Sequence, residues 1–406
     1  YSLSDNYDDN LEAVELMKQA ISKDQNLVMA QIYLGQMQYE LGYFAEASII
    51  YENALSRSKS LQDNAGVAES LRKQGQLLRK NKDYEAALAK FGEALSISTV
   101  MNDKSSMAKT FNSIAILNYK TDDKDNALKN WLHALAIVEE FGDKPKISKY
   151  LNNIGIWYWQ DYDYSKSIEY YQKSLLIKRE LGDVRNIAKT LNNLGEVYFA
   201  MGDYPNSTTQ FDESIEIKEK LQDNKGLNAS LYNRGETYFY SFEYNRAIDD
   251  FRRTIRMIED EESDHERYRY IGMSHFYLSN FDSCNFYLKK SDEFFANDYR
   301  KRLAILPYLV ISYMKTGDNT LSNTALKNFR DIISDYDPPD KDYIITNWAA
   351  YKALSAVNEK SEAAEYLENA YFMLKSKSKD IKNKQDRKKY LSAKLHENIM
   401  NEWSKR

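Results

Sequence analysis

Small, apolar and aromatic residues recur along this chain at a fixed spacing of 40. Aligned in rows of that length, Gly35, Gly75, Gly155, Gly195 and Gly235 form one column, with Ala115 filling the gap. Twelve residues later each row carries a small residue (Ala47, Ala87, Ala127, Ser167, Ser207, Ala247), and sixteen later an aromatic (Tyr51, Phe91, Trp131, Tyr171, Phe211, Phe251). The nineteenth position is again small (Ala54, Ala94, Ala134, Ser174, Ser214, Thr254) and the twentieth is Leu55, Leu95, Leu135, Leu175, Ile215 or Ile255. Offsets of 16, 19 and 20 share one helix face, while Leu71, Leu151, Leu191 and Leu231, four before their glycines, share a face of an earlier helix. Each row is therefore two helices. Asp83-Tyr84, Asp163-Tyr164, Gly202-Asp203-Tyr204 and Glu243-Tyr244 mark the turn within a row. Gln62 to Gly66, Gly142-Asp143, Gly182-Asp183 and Gln222 to Gly226 mark the turn between rows.

The small columns let the two helices of a hairpin approach closely, and the aromatic column fills the space opposite. One hairpin cannot bury both of its faces, so neighbours must stack into a helical solenoid. The pattern resembles that of tetratricopeptide repeat proteins: glycine, tyrosine (Tyr158, Tyr198 and Tyr238, three after their glycines), then alanine, aromatic and alanine. That resemblance implies an all-α, right-handed superhelical α-solenoid. The usual unit is about 34 residues. The longer unit here resembles the variant of kinesin light chains, cell-polarity adaptors and bacterial signalling proteins.

The regular units run over residues 28–262 and irregular ones over 263–374, about nine helix pairs in all. Gly272 sits 37 after Gly235, with Phe281 and Cys284 in the turn-tyrosine and small columns. Val310, Tyr313 and Gly317-Asp318 belong to the next pair, and a last pair is expected over Asp342 to Leu374, after Pro338-Pro339. Asn10 to Ile21 reads as the second helix of a unit whose first helix is missing or partial. Residues 375–406 are expected to form a basic capping helix. The stretch from Tyr366 through Ile399 is also similar to the segment closing tetratricopeptide arrays of bacterial nucleotide-cyclase and ATPase signalling proteins, which implies a bacterial signalling setting.

Charge sharpens this picture. The chain carries a net −5, but Lys375 to Arg406 holds 11 basic against 4 acidic residues, so a basic appendage follows an acidic body. An acidic body argues against nucleic acid as a partner. No apolar run approaches the roughly 20 residues that span a bilayer, so membrane insertion is not expected. The expected location is the cytoplasm, with a periplasmic or lipid-anchored place after processing as the alternative. Cys284 is the single cysteine, which excludes an internal disulfide framework and a thiolate zinc site.

Catalytic chemistry is not expected. The 14 glycines are nearly all accounted for by packing columns, turns and helix ends, which leaves no phosphate loop. His133, His265, His275 and His396 lack the i, i+4 spacing of a helical metal site, so neither metal nor cofactor is expected. Cys284 lies in a packing column and reads as a small buried residue. What remains is the concave face made by the first helices, at offsets −6, −3, −2, +1, +4 and +5 from the packing glycine. There Lys109, Lys149 and Lys189 repeat at 40, as do Asn112, Asn152 and Asn192, and Asn153, Asn193 and Asn233. Carboxamides both donate and accept, so rows of them can hold the backbone of an extended peptide, while the lysines attract carboxylates. Trp159, Phe199 and Tyr232 supply apolar surface, with Phe239 and Tyr240 beside them, and Glu196 and Glu236 make the charge mixed. The same asparagines could instead bond neighbouring helices and tie repeats together. The expected function is a non-catalytic scaffold that binds an extended, partly acidic segment of a protein or peptide. The alternative is a sensory module of a larger signalling enzyme such as a nucleotide cyclase or histidine kinase.

Overall fold

The computed structural model describes residues 7–24, 27–257, 261–335 and 344–406. Among them there are 21 α-helices and no strand, and the chain divides into two compact units, residues 1–157 and 158–406. Unit 1 contains α1 (Tyr7–Lys23), α2 (Val28–Glu40), α3 (Phe44–Ser60), α4 (Asn64–Lys80), α5 (Tyr84–Val100), α6 (Lys104–Lys120), α7 (Lys124–Glu140) and most of α8 (Lys144–Gln160). Unit 2 continues with α9 (Tyr164–Glu180), α10 (Val184–Ala200), α11 (Tyr204–Lys220), α12 (Asn224–Tyr240), α13 (Tyr244–Ile255), α14 (Glu261–Tyr277), α15 (Phe281–Phe294), α16 (Tyr299–Thr316) and α17 (Asn319–Asp335). It closes with α18 (Ile344–Ala356), α19 (Lys360–Asp380), α20 (Lys384–Ser392) and α21 (Lys394–Trp403). Pro338, Pro339 and Asp342 lie outside the described residues.

The period of 40 is two halves of 20. Helices α3 to α12 are each 17 residues long and are joined by three-residue turns. The middle turn residue is left-handed, at Gln62, Lys82, Asn102, Asp122, Tyr162 and Gln222 as well as at Gly142, Gly182 and Gly202. The third is always aspartate, from Asp63 to Asp223, and its carboxylate accepts the backbone N–H three residues on at 2.8–3.4 Å. That bond satisfies an amide with no partner inside the helix and sets an anion at the positive end of the helix dipole.

Packing explains the columns. A Cβ on Gly35 would lie 2.6 Å from Tyr51 Cε1, one on Gly75 2.6 Å from Phe91 Cε1, and one on Gly195 2.6 Å from Phe211 Cε1. The aromatic sixteen residues later thus packs on the bare helix backbone, and the row of Ala115 and Trp131 is the one that admits a methyl there. Where serine replaces alanine it bonds across the hairpin: Ser207 Oγ donates to Gly195 O (2.9 Å) and Ser214 Oγ to Ala188 O (2.8 Å). The same geometry persists in the irregular rows, in Ser322 to Val310 O and Ser291 to His265 O, both 2.9 Å. Cys284 is fully buried, and burial pushes its thiol up to about 12.

The C-terminal region differs from a single capping helix. The expected boundary at 374/375 falls inside α19, and two helices follow. Trp403 of α21 stacks on Tyr371 of α19 (centroids 4.8 Å), and Glu402 accepts from Tyr351 Oη of α18 (2.7 Å). The preceding residues run as a strap across turns far away in sequence. Lys382 N donates to Tyr162 O (3.1 Å), Asp386 accepts from Ser165 N (2.9 Å) and Oγ (2.8 Å), and Lys389 Nζ donates to Asp203 Oδ2 (2.7 Å). Ala393 lies against Gly202, and Lys394 Nζ sits 4.4 Å from the Phe242 ring centroid. The strap therefore crosses three turns spaced 40 apart.

Candidate functional site

The offsets chosen from the sequence place their residues on the first helices, and each unit presents its own face. In unit 1, Arg72 and Lys73 of α4, Lys109 and Asn112 of α6, and Lys149, Asn152 and Asn153 of α8 stand on it. Lys149 is exposed and Lys109 half-buried, and neither forms an ion pair among the described residues. Arg72 is buried and paired with Glu69, also buried, three residues before it. Lys73 Nζ bonds Gln36 Oε1. Burial, reinforced by the adjacent Arg72 guanidinium, lowers the Lys73 ammonium to about 8. A cation already losing charge to crowding gains from any carboxylate brought to it.

The asparagines divide. Asn112 is buried, and its Oδ1 accepts from Trp131 Nε1 (3.1 Å) and from Asn153 Nδ2 of the next repeat (3.0 Å). It joins repeats and does not face an open groove, because its position lies over the indole that replaces a smaller ring in that row. In unit 2 two bonds again pass between repeats, Ser230 Oγ donating to Asn192 Oδ1 (2.7 Å) and Asn233 Nδ2 to Glu196 Oε1 (3.0 Å), while Asn192 Nδ2 donates to the same Glu196 oxygen within α10 (2.7 Å). Asn152 is half-buried and partnered. Asn193 is half-buried and Lys189 exposed; no bond from either closes this network.

The aromatic residues are largely engaged. Tyr232 lies edge-on to Phe251 (5.7 Å) and Tyr270 (6.1 Å), and Phe199 meets Tyr204 (5.9 Å) and Tyr240 (5.4 Å). Trp159 is half-buried on the last turn of α8. Selection by strict 40-residue recurrence missed Arg72, Lys73 and Tyr270, although all three sit at the same offsets, and it left Glu236 as a bare charge without its partner Tyr270. Burial raises the Glu236 carboxyl to about 7, and it accepts from Tyr270 Oη. Among the described residues no group of three or more His, Cys, Asp or Glu could hold a metal ion, and no helix is long and apolar enough to cross a membrane.

Stacked hairpins with glycine against aromatic, presenting a charged first-helix face, define a repeat solenoid of the interaction type. The family model described as tetratricopeptide repeat matches residues 106–180 and 186–260. Those residues are tetratricopeptide repeats. No curated protein matches it. Among solved structures, it is similar to a signal-transduction ATPase with numerous domains from Pyrococcus horikoshii that carries a tetratricopeptide repeat sensor. There the identity is 15%, the TM-score 0.63, and the match covers 77% of this chain and 46% of that one. It is also similar to the apo quorum sensor NprR from B. thuringiensis (14% identity, TM-score 0.53, 92% and 99% covered). A Rap protein complexed with competence and sporulation factor matches at 12% identity and TM-score 0.52, with 87% and 99% covered. At these identities the likeness is one of fold.

Proposed function

We propose that the protein is a non-catalytic interaction scaffold, in bacterial signalling, whose first-helix faces bind an extended, partly acidic segment of a partner protein. The observation that carries this reading is the cation group on unit 1. Arg72, Lys73, Lys109 and Lys149 share one face, where Glu69 is already committed to Arg72. Holding like charges together costs stability, and a solenoid has no packing need for lysine at an exposed first-helix position. Asn152 and Asn153 on the same face, and Lys189 and Asn193 on unit 2, supply carboxamide and ammonium groups to a backbone and its carboxylates.

The test is a fluorescence titration with two labelled decapeptides, one rich in Glu and Asp and one of Gly and Ser. The acidic peptide should bind, and Lys109→Glu with Lys149→Glu should weaken it by roughly tenfold or more. Lys129→Glu, on an exposed second-helix position, should not. Equal binding of both peptides, or loss on Lys129→Glu alone, would sink the reading. A second reading, a sensor within a larger signalling protein, draws support from the multidomain ATPase whose repeats are called a sensor; there the same face would serve as the input surface.

A further inference from the structure

Where the strap meets the solenoid, unit 2 contains a cavity of about 200 Å³ lined by Phe199, Tyr204, Tyr240, Leu395 and Ile344, with Tyr390 and His396 from the strap. Ala200 lies in its wall and Lys377 also borders it. The apolar walls are flat and aromatic, since Phe199 faces Tyr204 and Tyr240 and Tyr390 stacks obliquely on His396 (4.4 Å). Two hydroxyls there lack partners. Tyr390 is 5% exposed, and neither its Oη nor that of Tyr204 makes a hydrogen bond among the described residues. Neither oxygen is sealed away from solvent, so both hydroxyls are open to a molecule that enters the cavity.

His396 adds a directed acceptor. Its Nδ1 lies 2.7 Å from Tyr390 O, and a carbonyl only accepts, so Nδ1 carries the hydrogen and Nε2 keeps its lone pair. Burial keeps this imidazole neutral down to about pH 4. Lys377, exposed at the border, adds one cation. The set is an aromatic slot with an acceptor and two hydroxyls inside and an ammonium at the mouth.

We propose that this cavity binds a small hydroxylated aromatic acid, its ring between the tyrosines, its hydroxyl donating to His396 Nε2 and accepting from Tyr390 Oη, and its carboxylate paired with Lys377. The segment 382–396 contributes three of the lining groups, Tyr390, Leu395 and His396, so the site exists only while it is docked. The cavity shares Phe199 and Tyr240 with the first-helix face of unit 2, but its small-molecule test does not depend on peptide binding.

The experiment uses the full chain with Ile and Leu methyls labelled for NMR, titrated with 4-hydroxybenzoate, phenol and benzoate to about 10 mM, a ceiling set by weak single-ring affinities. Saturable shifts at Ile344, Ile345 and Leu395 are expected, tightest for 4-hydroxybenzoate. Tyr390→Phe should weaken it by roughly 3–10-fold, the range for one hydrogen bond. Ala200→Phe, which fills the cavity, should abolish binding while circular dichroism and melting temperature hold. No saturation by any of the three probes overturns the proposal, as does binding that survives Ala200→Phe. Equal affinity for phenol and 4-hydroxybenzoate overturns the assignment of an acid.

Discussion

The same substitution, glycine to alanine, should move stability in opposite directions at two helix positions. Gly195 lies beneath Phe211, where a new Cβ would sit 2.6–2.8 Å from three ring carbons. Ordinary contact starts at 3.4 Å, so a ring only 1% exposed must move by most of an ångström within a packed core. Overpacking of that kind costs about 1–3 kcal/mol, and alanine's better helix propensity returns about 1. Gly195→Ala should therefore destabilise by about 1 kcal/mol. Gly92, in the exposed face of α5, has nothing within 4 Å of its Cβ position, so Gly92→Ala should stabilise by about 0.5–1 kcal/mol. Gly235→Ala, with its nearest ring atom at 3.0 Å, should fall between them. Urea midpoints by circular dichroism give the order, and hydrogen exchange in α10 and α5 assigns it locally, since a solenoid need not unfold in one step. A gain for Gly195→Ala equal to that for Gly92→Ala would refute the glycine-under-aromatic argument.

Three further outcomes follow from the strap. His396 ionises near 6.5 when unfolded and near 4 in place, so the unfolded chain takes up the proton first as pH falls. Its contribution is intact above pH 6.5 and declines by up to about 3 kcal/mol towards pH 4; His396→Gln should flatten this part of a stability-against-pH curve, against the opposite trend from Glu236. Asp203 both caps α11 and holds Lys389, whereas Asp183 caps α10 with no strap contact. Asp203→Ala should then cost more than the roughly 1 kcal/mol expected of Asp183→Ala, and only Asp203→Ala should speed proteolysis after Lys388 and Lys389. Gly202→Ala, at φ +75° with its Cβ 2.8 Å from that of Ala393, should loosen the strap in the same assay.

The hairpins were legible because packing repeats. Each glycine–aromatic pair meets the same geometric demand in every row, so Gly75–Phe91 and Gly195–Phe211 announce themselves as columns. The half-period of 20 was less visible: its left-handed position tolerates Lys82, Tyr162 and Gly202 alike, and only the aspartate after it recurs. The asparagine rows were ambiguous for a chemical reason, since a carboxamide suited to a peptide backbone also suits the neighbouring repeat, as Asn153 does for Asn112. Asp386 and Ser165 lie 221 residues apart, and a single contact of that kind leaves no periodic trace.

The claim that acidic segments are held by the unit 1 cations is tested most directly by salt. Affinity for the Glu- and Asp-rich decapeptide should fall by several-fold between about 50 and 500 mM NaCl, as screening shortens from roughly 14 to 4 Å. That dependence should largely vanish in Lys109→Ala with Lys149→Ala. Affinity that ignores salt, or a salt dependence undiminished in the double variant, would contradict the account.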